Sequence, residues 1–170
     1  MNVQDRLKGL TKDQIIEQLL SESMPAMVGM HNLTGNLNLG GIIRTANFLG
    51  FRKVMYFGRR KWDKRGSVGT YNYTPLEYFT DEDAFLDALS DWNIVALENN
   101  TNYHCQDMLS FEWPEKTFIM AGSEAEGLPD RILDAAHSIV SIPGNGSVRS
   151  LNVSTAASMA MYDYYSKVNS

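Results

Sequence analysis

Three polar clusters in the sequence carry the side chains that are able to do chemistry. The first, residues 38–46, reads Asn-Leu-Gly-Gly-Ile-Ile-Arg-Thr-Ala and places Arg44 among aliphatic neighbours. An arginine in so apolar a stretch needs an anionic partner. That partner is either a carboxylate of the protein, in a structural ion pair, or the phosphate of a ligand, which a planar guanidinium binds well. Asn38 is predicted to cap the helix that contains Arg44.

The second cluster, residues 121–129, follows an apolar run and contains Gly122, Glu124 and Glu126. Backbone amides in such a loop can hold the edge of a ligand. Two carboxylates two positions apart are also compatible with an acid–base pair, and acidic side chains are equally suited to the start of a helix. The residue types therefore leave a binding loop, an acid–base site and a helix start open.

The third cluster, residues 142–154, runs from Ile-Pro through a Gly/Asn/Ser loop to Ser150, Leu151 and Asn152. Exposed N–H groups ahead of a helix form a polar site. The cluster is not a phosphate-binding P-loop, because Gly-Lys-Ser/Thr is missing, nor a dinucleotide fingerprint, because Gly-x-Gly-x-x-Gly is absent. It therefore predicts a polar site of another kind.

Alternating strands and helices are predicted to position these clusters. Buried strands are indicated at 26–32, 52–57, 75–79, 93–98, 117–122 and 137–143, and helices at 12–21, 39–50, 81–90, 128–136 and 152–167. The alternation predicts an α/β fold with a mostly parallel sheet flanked by helices. Thr11, Thr80 and either Ser150 or Asn152 are predicted helix caps. Ligands on such sheets bind beyond the carboxyl ends of the strands, where the clusters lie.

Positive charge is concentrated in one segment of an acidic chain. The net charge is −5, yet residues 52–65 hold seven basic side chains and a single acidic one, Asp63. Tyr56, Phe57 and Trp62 lie between the cations, which suits phosphate contact combined with base stacking. A solvated loop would carry the same charge, so both interpretations stay open.

Composition narrows the class of protein. The 170 residues fit one domain, 1–170, with residues 1–24 as an N-terminal helical extension. The single cysteine, Cys105, excludes an internal disulfide, and no spacing of His, Cys or acidic residues predicts a metal site. No signal-peptide run begins the chain, and no stretch approaches the ~18–20 apolar residues of a membrane helix. We therefore expect a soluble protein of the cytoplasm, without membrane contact.

In their order and separation, the three clusters resemble motifs 1, 2 and 3 of the SPOUT superfamily, in its SpoU/TrmH branch of RNA ribose 2′-O-methyltransferases. The matching patterns are Asn-x-Gly-x-x-x-Arg-Thr-Ala, Gly-Ser-Glu-x-Glu-Gly-Leu, and Ile-Pro followed by Ser-Leu-Asn-Val-Ser. The resemblance covers roughly residues 26–165. It implies a C-terminal trefoil knot, S-adenosylmethionine as cofactor, and methylation of a ribose 2′-hydroxyl of structured RNA, with tRNA favoured over rRNA.

The resemblance also implies roles for individual residues. Polar active-site positions are matched by Arg44, Glu124, Ser150 and Asn152, and the motif 1 asparagine is matched by Asn38. Cofactor contacts are implied for Leu97, Glu98, Gly122, Ile142 and Leu151. The arginine is either the base for the hydroxyl proton or a clamp on the 3′-phosphate. A guanidinium has a pKa ordinarily above about 12, which weighs against a role of Arg44 as the base.

The resemblance implies a homodimer, and the positive charges of this sequence indicate where RNA would bind. The residues expected to bind RNA are Arg59, Arg60, Lys61, Lys64, Arg65 and Arg149, with Trp62 a candidate for stacking. A homodimer is expected through helix 152–167, and packing of this helix on its own sheet is the alternative. The small Ala156, Ala157 and Ala160 allow close packing there, and Met159, Met161, Tyr162 and Tyr165 supply apolar area. The alternative function is a catalytically silent RNA-binding dimer of the same fold.

Overall fold

The elements of the protein follow the predicted alternation of strands and helices. The computed structural model describes residues 3–35, 37–99 and 102–169. Its strands are β1 (Met24–Asn32), β2 (Phe51–Gly58), β3 (Leu76–Phe79), β4 (Asn93–Leu97), β5 (Gln106–Asp107), β6 (Thr117–Ala121) and β7 (Ser138–Ser141). Its helices are α1 (Lys12–Ser21), α2 (Asn38–Leu49), α3 (Glu82–Asp87), α4 (Asp130–Ala135) and α5 (Val153–Val168). Short 3₁₀ turns lie at Asp5–Leu7, Lys64–Ser67 and Thr70–Asn72.

The seven strands form one sheet in the order β3-β2-β1-β6-β4-β7-β5. Every pairing between these strands is parallel, so the predicted fold class is confirmed. The short strand β5 was not predicted, because its two residues are exposed and give no apolar run. The carboxyl ends of all strands therefore lie along one edge of the sheet, which we call the carboxyl edge.

Helices cover both faces of the sheet. On one face, Val28 and Met30 of β1 pack in the same apolar cluster as residues of α2 and α5. On the other face, Met27 of β1 and Phe118 of β6 pack with residues of α3 and α4. Alternate residues of a strand point to opposite faces, so β1 and β6 are buried along most of their length and are mainly apolar. None of the described helices has the length and apolar character to cross a membrane.

Capping side chains fix where the helices begin and end. The predicted capping box of α1 is confirmed, since Gln14 N donates to Thr11 Oγ1 and Thr11 N donates to Gln14 Oε1. The predicted end of α2 at Gly50 is confirmed too, with a left-handed φ of 79°. The prediction that Thr80 caps the next helix is wrong. Asp81 caps α3 instead by accepting from Ala84 N, because a carboxylate is a stronger acceptor than a hydroxyl.

Candidate functional site at the carboxyl edge

One asparagine brings the three polar clusters together. The Asn152 amide Nδ2 donates to Asn38 Oδ1 at 2.9 Å and to Glu124 Oε1 at 2.7 Å. The Asn152 oxygen accepts from Ser154 N and Thr155 N, and so caps α5. The cap fixes which end of the amide faces the helix, and its N–H groups therefore point away towards the other two clusters. We call Asn38, Glu124 and Asn152 the polar centre.

Asn38 reaches this centre in a way that the sequence did not indicate. It was expected to cap α2, but it is the first residue of the helix, and Leu37 at the cap position makes no side-chain cap bond. The Asn38 side chain is buried and its oxygen accepts from Asn152. The predicted capping role is therefore wrong, because the amide oxygen is used by the third cluster and not by the backbone of α2.

Glu124 projects from a tight loop that glycines make possible. Ser123 and Gly127 exchange both backbone hydrogen bonds, at 2.9 and 3.0 Å, and Gly127 has a left-handed φ of 68°. At Gly122, a Cβ would lie 2.5 Å from the Gly127 carbonyl carbon, so a larger residue does not fit. The loop folds tightly onto the end of β6 and leaves Glu124 exposed.

Four of the five residues expected to contact the cofactor lie at the ends of three neighbouring strands, β6, β4 and β7. Leu97 is in register with Ala121 of β6 and with Val140 of β7, so these strands end side by side. Glu98 and Gly122 directly follow β4 and β6, and Ile142 follows β7. The Glu98 carboxylate lies beside the loop of Glu124, since a Cβ at Gly127 would be 2.8 Å from Glu98 Oε2. Leu97, Glu98, Gly122 and Ile142 thus share one section of the edge.

The third cluster is tied to this section of the edge. The Asn99 side chain, after β4, donates to the Arg149 carbonyl at 2.7 Å. Ser150 and Leu151 are exposed between Arg149 and the cap of α5. The loops after β4 and β7 are therefore in direct contact.

Arg44 faces outward from α2. The sequence suggested a buried arginine, but Ile42, Ile43 and Ala46 take the inner face of the helix and Arg44 is exposed. Within the described residues, Arg44 forms no ion pair, so the structural ion-pair interpretation is wrong for this part of the chain. The Arg44 side chain is therefore accessible to a ligand.

The basic segment divides into two parts at opposite edges of the sheet. Arg52 and Lys53 lie at the start of β2, where Lys53 pairs with Glu77 at 2.7 Å. The extended chain from Arg52 to Arg59 spans about 23 Å. Five exposed cations follow β2 at the carboxyl edge: Arg59, Arg60, Lys61, Lys64 and Arg65. We call residues 59–67 the basic loop.

A buried asparagine that no sequence pattern indicated holds the basic loop in place. Asn32, at the end of β1, exchanges hydrogen bonds with Arg59: Arg59 N donates to Asn32 O at 2.6 Å, and Asn32 Nδ2 donates to Arg59 O at 2.5 Å. The Asn32 Oδ1 accepts a hydrogen bond from Gly35 N. A lone asparagine after an apolar strand carries no recognisable signal of this role.

The aromatic residues of this region support the loop and do not face solvent. Tyr56 and Phe57 are buried in β2, so the expectation that they stack on bases is wrong. The Tyr56 hydroxyl donates to the Arg60 carbonyl at 3.1 Å. Trp62 is half-buried and packs edge-to-face on Tyr71. Cations and aromatic rings thus alternate because the rings anchor a loop whose charges point outward.

Asp63 orders the tip of the basic loop. Its carboxylate accepts from Arg65 N at 3.0 Å and forms an ion pair with the Arg65 guanidinium. These hydrogen bonds from Arg65 lower the pKa of Asp63 to about 2. Asp63 is therefore ionised at neutral pH and offsets part of the positive charge of Arg65.

The basic loop also touches the first turn of α2 through two glycines. A Cβ at Gly40 would lie 2.7 Å from Ser67 N, and one at Gly66 would lie 2.6 Å from the Leu37 carbonyl oxygen. Only glycine permits this approach. The loop is thereby held next to the helix that carries Asn38 and Arg44.

The expected interface helix, α5, uses part of its small face within the subunit. Ala157, Ala160 and Met161 are fully buried against α2 and the sheet, so their predicted place in a dimer interface is wrong. Met159 and Tyr162 are exposed on the other side of α5. Helices α2 and α5 lie side by side, with Thr45 Oγ1 and Ser158 Oγ 2.9 Å apart.

Comparison with known proteins identifies the family. The model of the SpoU rRNA Methylase family matches residues 25–162, which contain all three clusters. The chain belongs to this family. A putative TrmH family tRNA/rRNA methyltransferase of Staphylococcus haemolyticus is 32% identical over 165 residues, which cover 91% of this chain and 64% of the relative. The chain thus spans less than two thirds of the curated relatives that it matches.

Solved structures of SpoU enzymes share the fold. The SpoU methyltransferase AviRb from Streptomyces viridochromogenes, in complex with the cofactor AdoMet, has a TM-score of 0.75 and 24% identity over 87% of this chain and 59% of its own. A structure that concerns 2-OH methylation of C/U34 on tRNA has a TM-score of 0.72 and 24% identity. It matches 85% of this chain and 95% of that chain. At this level of identity the likeness shows the fold alone.

Proposed function

We propose that the protein transfers a methyl group from S-adenosylmethionine to a ribose 2′-hydroxyl of structured RNA, and that tRNA is favoured over rRNA. The observation that carries the proposal is the polar centre, in which Asn152 joins Asn38 and Glu124 at the carboxyl edge. Family membership supports RNA methylation. A similar structure of nearly the same extent, which concerns tRNA, supports the preference for tRNA.

The loops after β4, β6 and β7 suit the proposed cofactor. Leu97 and Ile142 are half-buried aliphatic side chains and Leu151 is an exposed one, which suits an adenine ring. The close approach of Gly122 to the Gly127 backbone keeps the loop after β6 folded tightly at the end of that strand. Glu98 supplies a carboxylate for the ligand's ribose hydroxyls or its ammonium group. When bound, the cofactor supplies an electrophilic methyl group on a sulfonium, and an AdoMet complex is known for a protein of the same fold.

The protein's own residues would align the ribose and manage the hydroxyl proton. Methyl transfer needs an in-line approach, a route for that proton and exclusion of water. Arg44, exposed and without an ion pair among the described residues, is suited to hold the 3′-phosphate and to stabilise the forming alkoxide. The polar centre and Ser150 would position the nucleotide and the loop before α5.

We propose a homodimer through the exposed side of α2 and α5. Phe48 is 79% exposed on α2, and Met159 and Tyr162 are exposed on α5 beside it. Exposed aromatic and methionine side chains of this kind are enriched in protein interfaces. Because Arg44 lies one turn before Phe48 on α2, a partner on this face would approach the proposed active site. The trefoil knot implied by the resemblance stays a prediction.

The test is methyl transfer from labelled S-adenosylmethionine to bulk tRNA and, separately, to rRNA, followed by nuclease digestion and nucleoside analysis. A labelled 2′-O-methylnucleoside from tRNA is the expected result. A label on a base would overturn ribose methylation, and a label in rRNA alone would overturn the tRNA preference. RNA binding without cofactor binding or transfer would favour the silent RNA-binding dimer.

A further inference from the structure

The residue that directly follows the basic loop has a strained backbone conformation. Val68 has φ 49° and ψ 41°, and it is the one non-glycine residue with a positive φ among those described. A β-branched side chain is especially unfavourable in this left-handed region. The next residue, Gly69, also has a positive φ, of 82°, and there the chain uses the residue type that tolerates it. The valine at position 68 therefore needs an explanation.

Packing within the folded chain does not explain the valine at position 68. The Val68 side chain is 55% exposed and neither apolar cluster includes it. The turn is held by other groups, since Ser67 Oγ donates to Lys64 O at 2.7 Å and Val68 N donates to Arg65 O at 3.1 Å. These bonds would form equally well with glycine or asparagine at position 68. The strain is thus not offset by packing of the valine in either apolar cluster of the folded chain.

The surroundings of Val68 match a nucleotide. Lys64 and Arg65 are exposed in the same turn, and Leu37, 51% exposed, lies across the close contact that Gly66 makes with the Leu37 carbonyl. Cations next to exposed aliphatic side chains suit RNA, because phosphates bind the cations and the face of a ribose or base packs on the aliphatic groups. The adjacent turn of α2 carries Asn38 of the polar centre.

We propose that Val68 makes an apolar contact with an RNA nucleotide next to the one that is methylated. The strained turn holds its side chain towards the RNA, so RNA binding is strengthened while the fold is less stable than it would be with glycine. This inference rests on the proposed function, since it takes RNA as the substrate.

The test compares Val68→Gly, Val68→Asn and Val68→Ile by thermal unfolding and by binding to unmodified tRNA transcripts. Glycine and asparagine tolerate the conformation, so both should raise the Tm by about 2–4 °C. Both should weaken tRNA binding about fivefold, since they remove an apolar contact. Val68→Ile should keep the wild-type affinity. The matched control is Leu109→Gly, an exposed aliphatic residue beyond β5 at the other end of the sheet, which should leave tRNA affinity unchanged.

Wild-type tRNA affinity in both Val68→Gly and Val68→Asn would overturn the inference. An unchanged or lower Tm in both would overturn the role of strain. Failure of the proposed function is distinguishable, because a wild-type protein that binds tRNA but transfers no methyl group contradicts methylation and leaves the Val68 contact standing. A wild-type protein that binds no RNA contradicts both.

Discussion

Asn152 acts through the two different ends of one amide group. Its oxygen caps α5, and its N–H groups join Asn38 to Glu124. The first task needs any good acceptor, for which aspartate is as suitable as asparagine. The second needs a donor, which aspartate lacks. A single substitution can therefore separate the structural task from the proposed functional one.

We expect Asn152→Asp to keep the cap and to lose the polar centre, because its carboxylate would face that of Glu124. The expected result is a change in unfolding free energy of less than about 1 kcal/mol, with a fall in kcat/KM for RNA of about 100-fold. Thermal unfolding and methyl-transfer kinetics measure the two effects. The double variant Asn152→Asp with Glu124→Gln restores a donor–acceptor pair and should recover part of the rate. A wild-type kcat/KM in the single variant would contradict the role of the centre.

Substitutions of Arg44 can separate the effect of the planar guanidinium geometry from the effect of its positive charge. Arg44→Ala should lower methyl transfer by at least about 100-fold with little change in Tm, because an exposed side chain contributes little to stability. If the planar guanidinium holds a phosphate through two N–H groups, Arg44→Lys should recover little of the rate. Substantial activity in the lysine variant would contradict that geometry. Arg131→Ala, an exposed arginine of α4 that pairs with Asp83, is the matched control.

At the scale of elements, the sequence predicted most of the sheet and its helices, because buried strands and amphipathic helices leave regular apolar patterns. It did not predict that the Arg44 side chain faces solvent or that Tyr56 is buried. The apolar pattern of the neighbouring residues does not determine whether a charged or aromatic side chain points to solvent or to the core. Asn38 was assigned to the cap nearest in sequence, whereas its partner Asn152 is distant in sequence. Hydrogen bonds between side chains that are distant in sequence could not be predicted from local sequence patterns.

The basic loop should supply the salt dependence of RNA binding. Replacing its five exposed cations, Arg59, Arg60, Lys61, Lys64 and Arg65, by glutamine should weaken tRNA binding and flatten the dependence of log Kd on log salt. The slope should change by about 0.7–0.9 for each phosphate that the loop no longer neutralises. Titrations at several salt concentrations measure this. Arg52→Gln, at the opposite edge of the sheet, is the control and should leave the slope unchanged; an unaltered slope in the five-site variant would identify the loop as solvated surface.

At the scale of the whole molecule, the exposed side of α2 and α5 would connect the proposed dimer with the proposed activity. Phe48 and Arg44 are exposed on α2, and Met159 and Tyr162 are exposed on the neighbouring helix α5. The polar centre lies at the start of the same two helices. If two copies pack on this face, Arg44 of one copy can serve the polar centre of the other.

A mixing experiment tests this shared site. Arg44→Ala and Asn152→Asp should each be nearly inactive alone. If Arg44 is supplied by the other subunit, a heterodimer has one site with both defects and one intact site, so random exchange should restore about a quarter of wild-type activity. If Arg44 serves its own subunit, every site of the heterodimer carries one defect and no activity returns. Phe48→Arg, added to both variants, should yield monomers by mass measurement and abolish the recovery, whereas Leu109→Arg, on exposed surface elsewhere, should preserve it.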